Sequence, residues 1–128
     1  MREIKFRARH SETGEWFYYI HPYPAGWPAH SADYYSPLAF WDLIQKAILL
    51  PSTLGLFAGN DSYGGHIFEG DIVQIFPDYD ISIGVVKWDE EYAGFVAYNP
   101  KRDDLVQLDT VERILGNIYD NPDLLEEK

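Results

Sequence analysis

The chain has 128 residues, 46% of them apolar and 16% aromatic, with no cysteine and a formal net charge of −11. That apolar content excludes a wholly disordered chain, and the missing cysteine excludes disulfides, thiolate nucleophiles and sulfur-ligated zinc. Such acidity disfavours direct nucleic-acid binding, and no apolar run is long enough to span a bilayer or to follow Met1–Lys5 as a signal peptide would, so no membrane role and a soluble, cytoplasmic protein are expected.

The charge is uneven. Residues 1–10 carry Arg2, Lys5, Arg7 and Arg9 against Glu3, a net of +3, whereas the rest carry six Lys or Arg against twenty Asp or Glu. From Glu3 to Ala8 the pattern alternates. Ile4, Phe6 and Ala8 fall on one face, to be buried, and Lys5 and Arg7 on the other, to meet carboxylates or solvent. Basic residues suit an edge strand that resists pairing with foreign strands. A docking role for this basic end is the competing reading. Ser11-Glu12-Thr13-Gly14 is turn chemistry, and Glu15–Ile20 has the aromatic content of a strand, so the two segments predict an N-terminal β-hairpin.

Residues 21–36 hold Pro22, Pro24, Pro28 and Gly26, which oppose ladder pairing, and predict an irregular loop. Ser36-Pro37 then signals a helix start. Leu38, Trp41, Ile44 and Ile48 recur at helical spacing, widened by Leu43 and Ala47, with Asp42, Gln45 and Lys46 towards the other face. This helix is expected to end before Pro51. Leu54–Gly65, rich in Gly, Asn, Asp and Ser, reads as a connecting loop. Phe68–Tyr98 holds three short apolar runs separated by Gly, Pro and Asp, a β-meander of the kind that builds a small curled barrel. Leu105–Leu108 and Val111–Tyr119 add strands. Asn121–Leu125 is a capped helical turn, and Glu126–Lys128 is expected to fray.

Several segments together resemble the YopX family of small phage and prophage proteins. They are Arg2-Glu3-Ile4-Lys5-Phe6-Arg7-Ala8, then Gly55-Leu56 with Asp61 and Gly64, then Ile67-Phe68-Glu69-Gly70-Asp71-Ile72-Val73. Gly84-Val85-Val86-Lys87-Trp88 and Ile114-Leu115-Gly116-Asn117-Ile118-Tyr119-Asp120-Asn121-Pro122-Asp123-Leu124-Leu125 complete the set. The resemblance implies a mostly β fold with an SH3-like barrel and a phage or prophage origin. It implies no activity.

Catalytic and ligand motifs are sparse. Gly55–Ser62 evokes a phosphate loop, yet it lacks the lysine that reaches phosphates and no helix pattern follows, so a turn is the stronger reading. Gly70 reads as a bend and Asp71 as a backbone-capping carboxylate. His10, His21, His30 and His66 match no zinc spacing, although His21 and His30 flank the proline loop. Asp78, Asp80, Asp89, Glu90 and Glu91 fall in two hairpin loops without the spacing of a calcium loop. No Gly-x-Ser-x-Gly elbow is present. No cofactor is expected.

The aromatic segment is the best functional candidate. Ten of the 21 aromatics lie between Trp16 and Trp41. Aromatic side chains supply large contact area at low entropy cost, and Trp16, Tyr18, Tyr23, Trp27, Tyr34 and Tyr35 are the candidate interaction surface. Packing of this arm within its own chain is the competing reading. The expectation is a mainly β protein: an N-terminal hairpin, an aromatic and proline-rich arm and one short helix over residues 1–50, then an SH3-like barrel with a C-terminal helical turn over 51–128. Its function is expected to be that of a non-catalytic accessory protein that self-associates or contacts a host or phage protein. The alternatives are an acidic nucleic-acid mimic that blocks a host DNA-binding protein, and an enzyme of unidentified chemistry.

Overall fold

A computed structural model describes residues 4–31, 34–79 and 81–126 of the chain. Over these residues the fold is mainly β, with eleven strands, one α-helix and two 3₁₀ turns. The chain divides into two compact units, Met1–Phe57 and Ala58–Lys128.

In the N-terminal unit β1 (Ile4–His10) and β2 (Trp16–His21) form the expected hairpin, with Phe6 opposite Tyr19 and Ala8 opposite Phe17. The turn between them is tied by His10, whose Nδ1 accepts the amides of Glu12 and Thr13. The region expected to be an irregular loop carries two short strands, β3 (His30–Ser31) and β4 (Tyr34–Tyr35). β4 runs parallel to β2, an arrangement that needs a long connection, and the proline-rich stretch supplies it.

The helix α1 (Pro37–Gln45) starts where the sequence places it, with Ser36 Oγ accepting the Ala39 amide at 3.3 Å. Its buried face is centred differently. Phe40 is fully buried, Trp41, Leu43 and Ile44 pack beside it, and Leu38 is 87% exposed. At 100° per residue Leu38 lies about 160° round the helix from Phe40, so it cannot share that face. Ile48 and Ala47 lie beyond the last helical turn, where Ala47 takes a positive φ of 59°.

β5 (Leu49–Asn60) corrects two expectations. Leu54 to Asn60 is strand rather than loop, because its backbone finds a ladder on β1, with Leu56 opposite Phe6 and Leu49 opposite His10. For the same reason β1 is not an edge strand: it pairs with β2 on one side and β5 on the other. A bulge between Arg7 and Arg9 is filled by Thr53, whose Oγ1 accepts the Arg9 amide at 2.9 Å. The burial expected of the strand's two faces also needs correction. Ile4 is 44% exposed, while Arg7 is only 5% exposed, its guanidinium 4.4 Å over the Trp16 ring. Arg7 and Trp16 project from the same face of the hairpin, where the indole covers the guanidinium.

The C-terminal unit begins with the last three residues of β5, which turn through Asp61 into β6 (His66–Phe68). The Asp61 carboxylate accepts the amides of Tyr63 and Gly65, which fixes that turn. Five antiparallel strands follow: β7 (Asp71–Ile75), β8 (Ile83–Asp89), β9 (Gly94–Asn99), β10 (Asp104–Gln107) and β11 (Val111–Asn117). Their order is β10-β9-β8-β7-β11, and no closed barrel forms among the described residues. Their core is Ile67, Val73, Ile75, Ile81, Val86, Ala97 and Val111. A 3₁₀ turn over Leu108–Thr110 precedes β11, and another over Pro122–Glu126 follows it where a capped helical turn was expected. Among the described residues no helix is long and apolar enough to cross a membrane.

Candidate functional site

The six aromatics singled out from the sequence separate into distinct groups. Side chains alternate between faces along a strand, so Trp16 and Tyr18 lie on one face of β2 and Phe17 and Tyr19 on the other. On the Trp16 face, Tyr18 meets Tyr34 across the parallel β2–β4 pair, ring centroids 5.9 Å apart. On the opposite face Tyr35 lies between two partners that the sequence reading missed. Its ring stacks on Phe17 at 5.0 Å with 13° between planes, and on His30 at 4.3 Å. His10 is tilted against Phe17 at 5.6 Å. One row of rings thus crosses β1, β2, β4 and β3. Tyr23 and Trp27 stand apart in the proline loop, edge to face at 5.6 Å, and the Tyr23 hydroxyl donates to the Pro28 carbonyl.

A groove of about 420 Å³ runs beside this row, lined by Glu15, Trp16, Phe17, His30 and Tyr35. Glu15 and His30 are exposed and the three aromatics are half-buried. The Tyr35 phenol is held above its ordinary pKa of 10.0, first by burial and then by the negative charge of Glu15. The groove is therefore lined by aromatic side chains that already pack on one another or on Arg7, with one carboxylate at its side.

Several of the remaining singled-out residues have structural roles. Asp89 accepts the Tyr92 amide and closes the β8–β9 turn; Asp80 lies outside the described residues. Gly55–Asn60 is strand, which leaves no loop there to cradle a phosphate. His21 ends β2 opposite Ile4, and His30 stacks on Tyr35. No group of three or more His, Asp or Glu among the described residues is placed to hold a metal.

In the C-terminal unit two sequence signatures converge. Gly70 takes φ +90°, a conformation that favours glycine, and it donates to Val86 O while accepting from Ile118 N, both at 2.9 Å. The next residue, Asp71, is 2% exposed; its carboxylate accepts the Phe68 amide at 2.8 Å, and its backbone pairs with Asn117. This is the bend and backbone cap the sequence predicts. Asn117 Oδ1 accepts the amides of Tyr119 and Asp120, and Asn121 Oδ1 accepts the Asn117 amide. Gly116 packs so closely on this turn that an added Cβ would lie 2.8 Å from Asn121 Cγ. A family model described as YopX protein matches residues 5–126. The chain belongs to the YopX family. In this YopX-family chain the match reaches from β1 to the last 3₁₀ turn and takes in both signatures and the aromatic row. No curated protein matches it.

Proposed function

We propose that the chain is a non-catalytic accessory protein of phage or prophage origin that works in the cytoplasm through protein contacts, including contacts with further copies of itself. The observation that carries this reading is Trp27. Trp27 is 46% exposed, yet its indole packs edge to face on Tyr23, and Tyr23 is tied to Pro28. A tryptophan already ordered by its neighbours offers contact area with little conformational freedom left to lose. Light scattering or sedimentation across a concentration series tests it. The wild-type mass rises above the 14.8 kDa of one chain, and Trp27→Ala returns it towards the monomer. A monomer at every concentration, together with the same lysate partners for wild type and Trp27→Ala, overturns the reading.

We further propose that the C-terminal unit is an SH3-like barrel. Its support is β7, which is paired on both sides, by β8 and by β11, so the last strand returns beside the first. Closing a short meander requires that return. Function follows from such a fold only by analogy.

A second functional reading rests on the net charge of −11: the protein occupies the basic site of a host DNA-binding protein. Capture of DNA-binding proteins that is lost as salt rises supports it. Their absence from the captured set removes it.

A further inference from the structure

We infer that the β1–β2 turn is released by acid: it holds while the His10 ring is neutral and opens when that ring takes up a proton.

Two amides fix the state of the ring. The backbone N–H groups of Glu12 and Thr13 both donate to His10 Nδ1, at 3.1 and 3.2 Å. An amide N–H can only donate, so Nδ1 presents its lone pair and the neutral ring carries its proton on Nε2. The flipped ring would turn a carbon towards both amides and satisfy neither. An imidazolium has an N–H on each nitrogen. Its Nδ1–H would face two further N–H groups, so both bonds are lost together and like partial charges meet. No rotation of the charged ring restores an acceptor, because the charged ring has none.

The surroundings confine the release to the turn. His10 N donates to Glu15 O at 2.8 Å and Ser11 N donates to Ile48 O at 2.7 Å, and neither bond uses the ring. The strand ends therefore stay joined. Glu12 and Thr13 are exposed, so their freed amides turn to water. The turn also carries the charges that meet the ring. The carboxylates of Glu12 and Glu15 attract an imidazolium, and Arg9, whose Nε donates to Gly14 O at 3.3 Å, repels it. On the β5 side Leu49 stands opposite His10, and β5 contains no charged residue. On the β2 side the ring leans on Phe17 at 5.6 Å, with Tyr35 and then His30 beyond it. A departing His10 ring uncovers one side of Phe17, so acid also alters one end of the aromatic row.

The test follows the full chain by NMR from about pH 8 to about pH 5, the span over which histidines change charge. At the alkaline end the ring nitrogen shifts of His10 are expected to show the Nε2–H tautomer. As pH falls, the amide protons of Glu12 and Thr13 are expected to move upfield with the same midpoint as the His10 ring. Their protection from hydrogen exchange, corrected for the intrinsic rate, is expected to fall about tenfold, roughly the loss of one hydrogen bond. His10→Asn keeps a side-chain acceptor in the turn and cannot take up a proton, so both amides are expected to hold their positions across the range. Glu12→Gln and His30→Gln are expected to leave the wild-type transition in place. An Nδ1–H tautomer, amides that ignore the His10 midpoint, or the same transition in His10→Asn overturns the inference. If His10→Asn fails to fold, the tautomer and the shared midpoint in the wild type decide it alone.

Discussion

Phe6 and Tyr19 face each other directly across the β1–β2 ladder, ring centroids 5.2 Å apart and planes inclined by 69°. Trp41 of α1 approaches both, at 5.8 Å from Phe6 and 5.6 Å from Tyr19. This three-ring contact joins the hairpin to the helix. Phe6→Ala removes the ring that touches both elements. Phe6 is half-buried, so the loss falls below the range for a fully buried phenylalanine, at roughly 2–3 kcal/mol. Urea denaturation followed by tryptophan fluorescence measures it, with a drop in midpoint expected.

Deleting residues 1–9 takes away a central strand rather than a tail. β2 and β5 both lose their ladder partner, and the apolar neighbours of Phe6 and Ala8 are exposed. Burying side chains as large as Phe6 contributes roughly 1.5–3 kcal/mol each, against about 5–15 kcal/mol of net stability for a domain. The truncated chain is expected to be insoluble or to lack a cooperative melt. A melting curve matching the full-length protein would contradict the central placement of β1.

Charge reversal separates Lys5 from Arg7. Lys5 Nζ lies 4.7 Å over the Phe57 ring and is partly solvated. Lys5→Glu therefore changes stability by about 1 kcal/mol or less. Arg7 is 5% exposed and lies on Trp16. Arg7→Glu places a carboxylate against the electron-rich ring face, at a cost of about 3–5 kcal/mol. The ordering of the two melting temperatures decides the matter.

Asp71→Ala leaves the buried Phe68 amide without its acceptor, a loss of about 1–3 kcal/mol. Asp71→Asn keeps a carbonyl oxygen in reach and is expected to be milder. Amide hydrogen exchange at Phe68 should accelerate in the alanine variant first.

Tyr98 is held above its ordinary pKa of 10.0, chiefly by the hydrogen bond it donates to Asp103 and then by desolvation and the aspartate's charge. Tyr35 is raised as well, by burial and by Glu15. A folded-state value above the unfolded one means the folded protein holds these protons more tightly. The stabilisation is complete below about pH 10 and is lost as pH rises through the folded values. Phenolate absorbance measured against pH should show a late-titrating component. Asp103→Asn shifts the Tyr98 part downwards and leaves the Tyr35 part in place.

The N-terminal hairpin was readable because Phe6, Ala8 and their partners Phe17 and Tyr19 follow the two-residue period with a turn between them. The meander from Asp71 to Asn99 was readable for the same reason. β5 was not, because Ser52, Thr53, Gly55 and Gly59 resemble loop composition, and the hydrogen bonds that make the segment a strand come from β1, distant in sequence. The candidate site was half legible. Aromatic density marked Trp16 to Tyr35, but the parallel pairing of β2 with β4 decides which rings share a face. That is why Phe17, His30 and Glu15 went unmarked beside Tyr35. Arg7 was misplaced because alternation assigns a face without saying that Trp16 would cover it.

The crowding between Gly116 and Asn121 makes the order of genetic change matter. Asn121 can be exchanged for a smaller residue at the loss of one cap to Asn117, about 1 kcal/mol. A side chain at position 116 strikes Asn121 unless that exchange has come first. Gly116→Ala is therefore harmful in the present background and tolerable after Asn121→Gly. A library randomised at both positions should return residues other than glycine at 116 only in company with Gly, Ala or Ser at 121. A lineage drifting through this turn therefore meets the lower barrier when position 121 changes before position 116.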